Sequence, residues 1–502
     1  MRLNQLLSQL LLLFFAFTAG SEGLLWSAAA PFLPVAPPAA RTAPPLPVRQ
    51  ASVAETDDSS SRIAPALADA GIAVRLIALP GEAAAPAVGG VGTEGVPTSA
   101  APKPLSLYPQ TRPASLRPFL TWSKVTGAVY YELEIDAVPA SSADQAAAQP
   151  LFVSREIFAN GYHADLTQLV GQPLFWRVRG LDYDGIPVSP FSQPSLIVVD
   201  PARDEPLSPL PTALYHEKER PTPLYPVYYW IPLAGAAAYE VEVTSQPPEN
   251  PGSTAASIYR IWSSRATGYG IYDDTPRSRP GTYYWRVRAL DAQGGSLGGF
   301  SEAIAFSVNL AAGQYAASLG DSITHGGGAV SYSPADAEYS YQSYLSFPLA
   351  NLGKSGDTAK TMLERFEQDV LPLRPRYLLI LGGTNSLRGG VAGETVIAEL
   401  AALRDKCTDS GIRPIFLTLP PINPTAIARV FQQQTAANWR KEFDKVNSFI
   451  RRQHYYIDLE PYFLDERREL AARFAVDGLH LDIAGKRLMG QVINQVWPQV
   501  TE

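Results

Sequence analysis

Cysteine is all but missing from this chain. Cys407 is the single cysteine among 502 residues, which forbids an intramolecular disulfide. It falls at helical spacing with Val396, Leu400 and Leu403, the pattern of a buried core residue rather than a thiol nucleophile. Histidine is scarce too. Five histidines and one cysteine, with no cluster at metal-ligand spacing and no Gly-rich phosphate loop, give no metal or nucleotide signature, and no cofactor is called for. An excess of positive charge is also absent. Forty-one Lys and Arg against 48 Asp and Glu leave a formal charge of −7, so there is no basic footprint and nucleic-acid binding is discounted. Long apolar runs are wanting as well: the N-terminal run over 10–19 spans about ten residues, short of the ~20 that a membrane-spanning helix needs.

Apolar residues make up 46% of the chain, ample for packed cores, and 502 residues exceed what one core organises. Residues 1–30 carry one early charge, Arg2, then the apolar run, then small residues. They read as a secretory signal, with an uncleaved anchor as the alternative, and the absence of a nearby cysteine excludes a bacterial lipoprotein. Residues 31–104 are dominated by Ala, Pro, Val and Gly, and read as a disordered or extended linker. A disulfide-free exported chain fits a secreted or cell-envelope location in a bacterium.

An internal repeat follows. Trp122, 131–135 (Tyr-Glu-Leu-Glu-Ile), 175–179 (Phe-Trp-Arg-Val-Arg), Leu181-Asp182 and Phe191-Ser192 recur about 108 residues later. The second set is Trp230, 239–243 (Tyr-Glu-Val-Glu-Val), 284–288 (Tyr-Trp-Arg-Val-Arg), Leu290-Asp291 and Phe300-Ser301. Apolar and charged residues alternate within these runs, the period of a strand with one face buried. Several such strands in about 100 residues predict two all-β sandwiches, over 105–200 and 205–309. The motifs resemble fibronectin type III modules, immunoglobulin-like in fold. That resemblance places Trp122, Trp176, Trp230 and Trp285 in the cores rather than on a sugar-stacking surface. The modules would act as spacers or attach the protein to the cell envelope or a polysaccharide. Proline-rich 201–223 predicts a stiff link between them, and 309–313 leaves little slack before the last domain.

From 312 to 502 the pattern changes. Short unalternating apolar runs at 315–319, 377–381, 414–419 and 456–459 interleave with helical periodicity at 361–371, 395–407, 438–452 and 484–496. Strands alternating with helices predict an α/β domain with a buried parallel sheet and helices on both faces. The first run stops at Gly320-Asp321-Ser322, which presents a hydroxyl at the carboxyl end of a strand, where open α/β sheets bind ligands.

Three more blocks follow in order: 351–358 (Asn-Leu-Gly-Lys-Ser-Gly-Asp-Thr), 377–385 (Tyr-Leu-Leu-Ile-Leu-Gly-Gly-Thr-Asn) and 477–480 (Asp-Gly-Leu-His). The four blocks together, over about 314–497, resemble the SGNH (GDSL-type) hydrolase superfamily, whose three-layer fold carries a serine esterase site. The resemblance implies Ser322 as nucleophile and His480 as base, with the Ser322 N–H, the Gly353 N–H and the Asn385 amide as oxyanion donors. Asp477, three residues before His480, can reach its second nitrogen and hold the tautomer. Asp482 is a rival orienter on the other side of the histidine. Asp321 reads as a turn residue supporting the site, Gly383 as a place where a missing Cβ admits substrate, and His325 as a possible pocket residue; Ser386 stands where many relatives carry Asp. His163, His216 and His454 read as surface or structural residues.

The function this layout implies is an exported serine esterase that removes acyl groups, acetyl above all, from a glycan. The alternatives are a lipase, lysophospholipase or thioesterase with the same residues, acyl transfer to a sugar acceptor, and a non-catalytic scaffold or adhesion protein. Tyr332, Tyr339, Tyr341 and Tyr344 in the loop after Ser322 are candidates for sugar stacking, or else pack among themselves.

Overall fold

The computed structural model describes residues 99–139, 150–205, 207–212, 222–328 and 336–502. The signal or anchor, most of the linker, His216 and Tyr332 lie outside the described residues.

Two antiparallel β modules come first. In the first module, strands Phe152–Ile157, Tyr130–Asp136, Leu174–Leu181 and Ser195–Ile197 form a sheet in that order, and Phe119–Thr121 pairs with Gly161–His163. In the second module, Arg260–Ala266, Ala238–Thr244, Gly281–Leu290 and Ile304–Val308 form the matching sheet. Its partner sheet is Gly270–Tyr272, Val227–Ile231 and Leu210–Pro211. Trp122, Trp176, Trp230 and Trp285 are all buried, and in each module a tyrosine hydroxyl (Tyr131, Tyr239) accepts a backbone N–H from six residues upstream at 3.1 Å.

The charged face of these strands is covered as well. Glu134 faces Arg177 and Glu132 faces Arg179 across the first module, and Glu242 faces Arg286 and Glu240 faces Arg288 across the second. Glu134, Arg177, Glu242 and Arg286 are buried, paired at 2.7 Å. A phenylalanine covers each ladder: the Arg177 and Arg179 guanidinium groups lie 4.1 and 4.3 Å from the Phe191 ring centre, and those of Arg286 and Arg288 lie 4.4 and 5.0 Å from Phe300. The following serine hydroxyls, Ser192 and Ser301, accept the N–H of Val178 and Val287. A buried charge is tolerable only when it is paired, and here the pairing is doubled by cation–π contact.

The C-terminal domain is built on five parallel strands, in the order Ala350–Gly353, Ala316–Gly320, Tyr377–Leu381, Arg413–Leu417, Tyr456–Ile457. Strand Ala350–Gly353 escapes the sequence pattern because it has only four residues and sits at the sheet edge. The chain leaves Ala316–Gly320 for one neighbour and next returns to the other, which makes the carboxyl end of that strand a topological switch point. Register brings Gly320 level with both Gly353 and Leu381, so three of the four sequence blocks begin at one height on the sheet.

The modules are docked against this domain, not strung along it. The Leu224 N–H bonds the Asn351 carbonyl on the edge strand, and the buried Tyr225 hydroxyl bonds Asp369 at 2.7 Å. One apolar core runs from Trp230 and Val241 into Leu319 and Ile380. From the first module, Val129, Tyr130 and Tyr183 pack with Tyr339, Val476 and Ile483, and Asp184 pairs with Arg429 at 3.0 Å. His163, read from the sequence as a surface or hairpin residue, ends strand Gly161–His163, is buried between the modules and accepts the Ala234 N–H.

Candidate active site

Ser322 opens the one-turn helix Ser322–His325 directly beyond the switch-point strand. Asp321 caps that turn, its Oδ1 accepting the Ile323 N–H at 3.0 Å. Gly320 has no room for a side chain: a Cβ there would stand 2.2 Å from Thr324 Oγ1 and 2.5 Å from the Leu381 carbonyl. The tight strand-to-helix passage lifts the Ser322 hydroxyl toward His480, whose Nε2 lies 2.9 Å from Oγ.

His480 is held from behind. Its Nδ1 donates to Asp477 Oδ2 at 2.8 Å, while Asp477 Oδ1 accepts the N–H groups of Leu479 and His480. Asp477 is fully buried, so its carboxylate has no competing water. Between them Gly478 takes φ +76, where a Cβ would also strike the Asn423 carbonyl at 2.5 Å. With Nδ1–H spent on the carboxylate, Nε2 offers its lone pair to the serine proton. Asp482 makes no contact of this kind. It precedes helix Ile483–Thr501, and burial pushes its carboxyl up to about 7.

Beneath the serine lies a buried ionisable cluster that the sequence blocks do not mention. Lys486 is fully buried and donates to the Ile323 carbonyl at 2.8 Å, tying the long C-terminal helix to the turn that carries Ser322. Burial pulls its ammonium down to about 7, and burial raises Asp321 to about 6. A helical spacing from Asp482 to Lys486 is the only sequence signal for it.

The oxyanion side needs one correction. Gly353 does not present its N–H to the site: that group is donated to Asn351 Oδ1 at 2.9 Å, and a Cβ would lie 2.3 Å from the His325 nitrogen. Its smallness serves the close passage of the Ser322–His325 backbone. The exposed glycine of the block is Gly356, at φ +89, and no acceptor among the described residues takes its N–H. Gly356 precedes Asp357, whose carbonyl accepts the Asn385 amide at 2.9 Å and whose carboxylate is gripped by Arg365 at 2.6 Å. The Gly356 N–H and the Asn385 side chain therefore border one another, and the Ser322 N–H, at a helix start, is free of acceptors among the described residues. A Ser-Gly-Asp just beyond an edge strand was the available signal.

Gly383 likewise has a packing reason: φ +122 and a Cβ that would lie 2.9 Å from Val396 put it in the turn onto the next helix, not against substrate. His325 is buried with both nitrogens engaged. Nε2–H donates to the Tyr225 carbonyl at 2.7 Å, and Nδ1 accepts from Ser355, so it lines no pocket; burial pulls its pKa down to about 4. Tyr339 is buried against the first module and Tyr341 in the domain core, and the Tyr344 hydroxyl bonds the Glu338 carbonyl beside the C-terminal helix. Cys407 is fully buried among apolar side chains and its thiol is pushed up to about 12.

Residues 318–488 match the GDSL-like Lipase/Acylhydrolase family. The C-terminal domain is an ester-bond hydrolase. Ser322, Gly356, Asn385, Asp477 and His480 all fall inside the matched stretch of this acylhydrolase domain. No curated protein matches the chain. Similar solved structures include the lipase/acylhydrolase from Enterococcus faecalis (22% identity, 38% of this chain and 97% of that one, TM-score 0.31). Others are a GDSL-like lipase from Bacteroides thetaiotaomicron (18%, 37% and 88%, 0.30) and an acetylxylan esterase from Geobacillus stearothermophilus (20%, 36% and 93%, 0.29).

Proposed function

We propose that the protein is an exported serine esterase that removes acetyl groups from a glycan. The observation that carries the chemistry is the hydrogen-bonded series Ser322 Oγ, His480 and Asp477, with contacts of 2.9 and 2.8 Å, at the switch point of an acylhydrolase domain. His480 Nε2 takes the hydroxyl proton as Ser322 Oγ attacks the ester carbonyl, and Asp477 stabilises the imidazolium that forms. Negative charge on the carbonyl oxygen is met by the N–H groups of Ser322 and Gly356 and the Asn385 amide. Collapse breaks the ester C–O bond, and the same proton passes from His480 to the departing sugar hydroxyl. Water then repeats the attack on the acyl-serine, releasing acetate and restoring Ser322.

Export is supported by the apolar N-terminal run, and a glycan by the β modules, which we read as fibronectin III-like. The test is p-nitrophenol release from acetyl, butyryl and octanoyl esters by the protein and its Ser322→Ala variant. Release led by the acetyl ester and abolished in the variant supports the reading. Preference for octanoyl favours a lipid substrate, and undiminished release by Ser322→Ala overturns Ser322 as nucleophile.

A further inference from the structure

The departing alcohol of an ester must lie within hydrogen-bond reach of the group that protonates it, so the sugar of an acylated glycan belongs on the His480 side of Ser322. One ring on that side stands on a helix that also touches the first β module. Phe431 meets His480 edge-on, ring centres 5.9 Å apart, at the end of helix Pro424–Phe431. Two residues earlier Arg429 lies 4.9 Å over the Tyr183 ring and pairs with Asp184, both in the turn that follows Leu174–Leu181.

From Tyr183 a row of partly buried rings continues along the module: Tyr130 at 6.2 Å, then Phe158 a further 4.9 Å on, itself stacked on Tyr269 at 5.5 Å. Phe158 lines a cleft with Asn160, the Lys124–Asp336 ion pair and Ile483, three residues past His480. Tyr130 and Tyr183 also pack on Val476, next to Asp477. The row therefore runs alongside the loop that carries Asp477 and His480.

We propose that the first β module completes the active site, with Tyr183, Tyr130, Phe158 and the Arg429–Asp184 pair forming the subsite for the sugar whose ester is held at Ser322. This rests on the serine-esterase reading and deepens it. The chemistry of the row decides the class of ligand. Aromatic faces want apolar C–H surface, while the phenol groups, the Asn160 amide and the half-exposed charges of Arg429 (46%) and Asp184 (57%) want hydroxyl groups. A pyranose ring offers both at once, whereas an acyl chain offers only the first.

The experiment compares acetylated xylo-oligosaccharides with p-nitrophenyl acetate as substrates for the full chain and its Tyr183→Ala, Phe158→Ala and Tyr183→Trp variants. The expected result is a fall of about five- to tenfold in the ratio of kcat/KM on the oligosaccharide to that on the small ester for each alanine variant. KM for the oligosaccharide should carry the change, and Tyr183→Trp, which keeps an aromatic face, should restore most of it. An unchanged ratio in the Tyr183→Ala/Phe158→Ala double variant overturns the subsite, as does equal loss on both substrates. Hydrolysis of p-nitrophenyl acetate with no action of the parent protein on the oligosaccharides also overturns the subsite while the serine-esterase reading stands. If Ser322→Ala leaves release from the small ester undiminished, that reading falls and the subsite with it.

Discussion

His325 and the carbonyl of Tyr225 are joined at 2.7 Å across the boundary between the acylhydrolase domain and the second β module. The same imidazole takes Ser355 at its other nitrogen, so one buried ring connects the turn carrying Ser322, the loop carrying Gly356 and a neighbouring module. Its replacement should be felt in all three places. His325→Ala leaves the Tyr225 carbonyl without a donor and opens a cavity, and should lower unfolding stability by about 2–5 kcal/mol. Urea unfolding of the full chain checks this, and p-nitrophenyl acetate turnover should fall in parallel. Unchanged stability would show that the module boundary is not held here.

Removing Ser322 or Asp477 tests the reacting groups. Ser322→Ala should cost at least about 1,000-fold in kcat, and Asp477→Asn a loss of similar order, because an amide can present its N–H to Nδ1 and favour the wrong tautomer. Steady-state kinetics on p-nitrophenyl acetate measures both. Near-parental turnover in Asp477→Asn would shift the orienting role to another group.

The two glycines of the second block should separate cleanly. Gly356→Ala strains a left-handed position beside Asn385 and should cut kcat while the chain still folds. Gly353→Ala forces a methyl into the His325 backbone and should yield unstable protein. Asn385→Ala should lower kcat by about 100- to 1,000-fold with little change in folding. Circular dichroism beside kinetics distinguishes the three; loss of activity without loss of structure in Gly353→Ala would reverse the assignment.

The buried acids give a pH signature. Asp482 is raised to about 7 and Asp321 to about 6, both by burial first, so between about pH 4 and those values the folded state binds more protons than the unfolded one. Their contribution is present below pH 4 and is lost as pH rises toward 7. Lys486, lowered to about 7, acts oppositely above that point, where the unfolded chain holds the proton and rising pH favours the fold. Asp482→Asn should therefore lose less stability than the parent between pH 5 and pH 7, read from urea midpoints. Equal slopes would remove Asp482 as the source.

Much of this was legible because parallel strands announce themselves. The run 377–381 is unalternating and apolar and forms the central strand with all five residues buried. Ser322, Asp477 and His480 were singled out as residue types at block ends, and the fold brings them into one hydrogen-bonded series. What sequence concealed depends on contacts from afar. Period-two alternation cannot reveal that Phe191 and Phe300 close over the charged face, since each cap follows its arginines by more than ten residues. Gly353 and Gly356 are indistinguishable as letters; only the Asn351 side chain, which takes one N–H and leaves the other, tells them apart. Docking of the modules was beyond reach because Tyr225 sits in a proline-rich stretch with no periodicity.

The repeat holds one more consequence. After the long strand of each module an aspartate, Asp182 or Asp291, shapes the same tight turn, its Oδ1 accepting N–H groups two and four residues on. The first copy carries Tyr183 and Asp184 on that turn, in contact with Arg429; the second carries Ala292 and Gln293. Duplication left the scaffold of the turn intact and changed only its cargo. Two sister modules thus divided their labour: one bonds the edge strand of the parallel sheet through Leu224, and the other lays its Tyr183–Asp184 turn against Arg429.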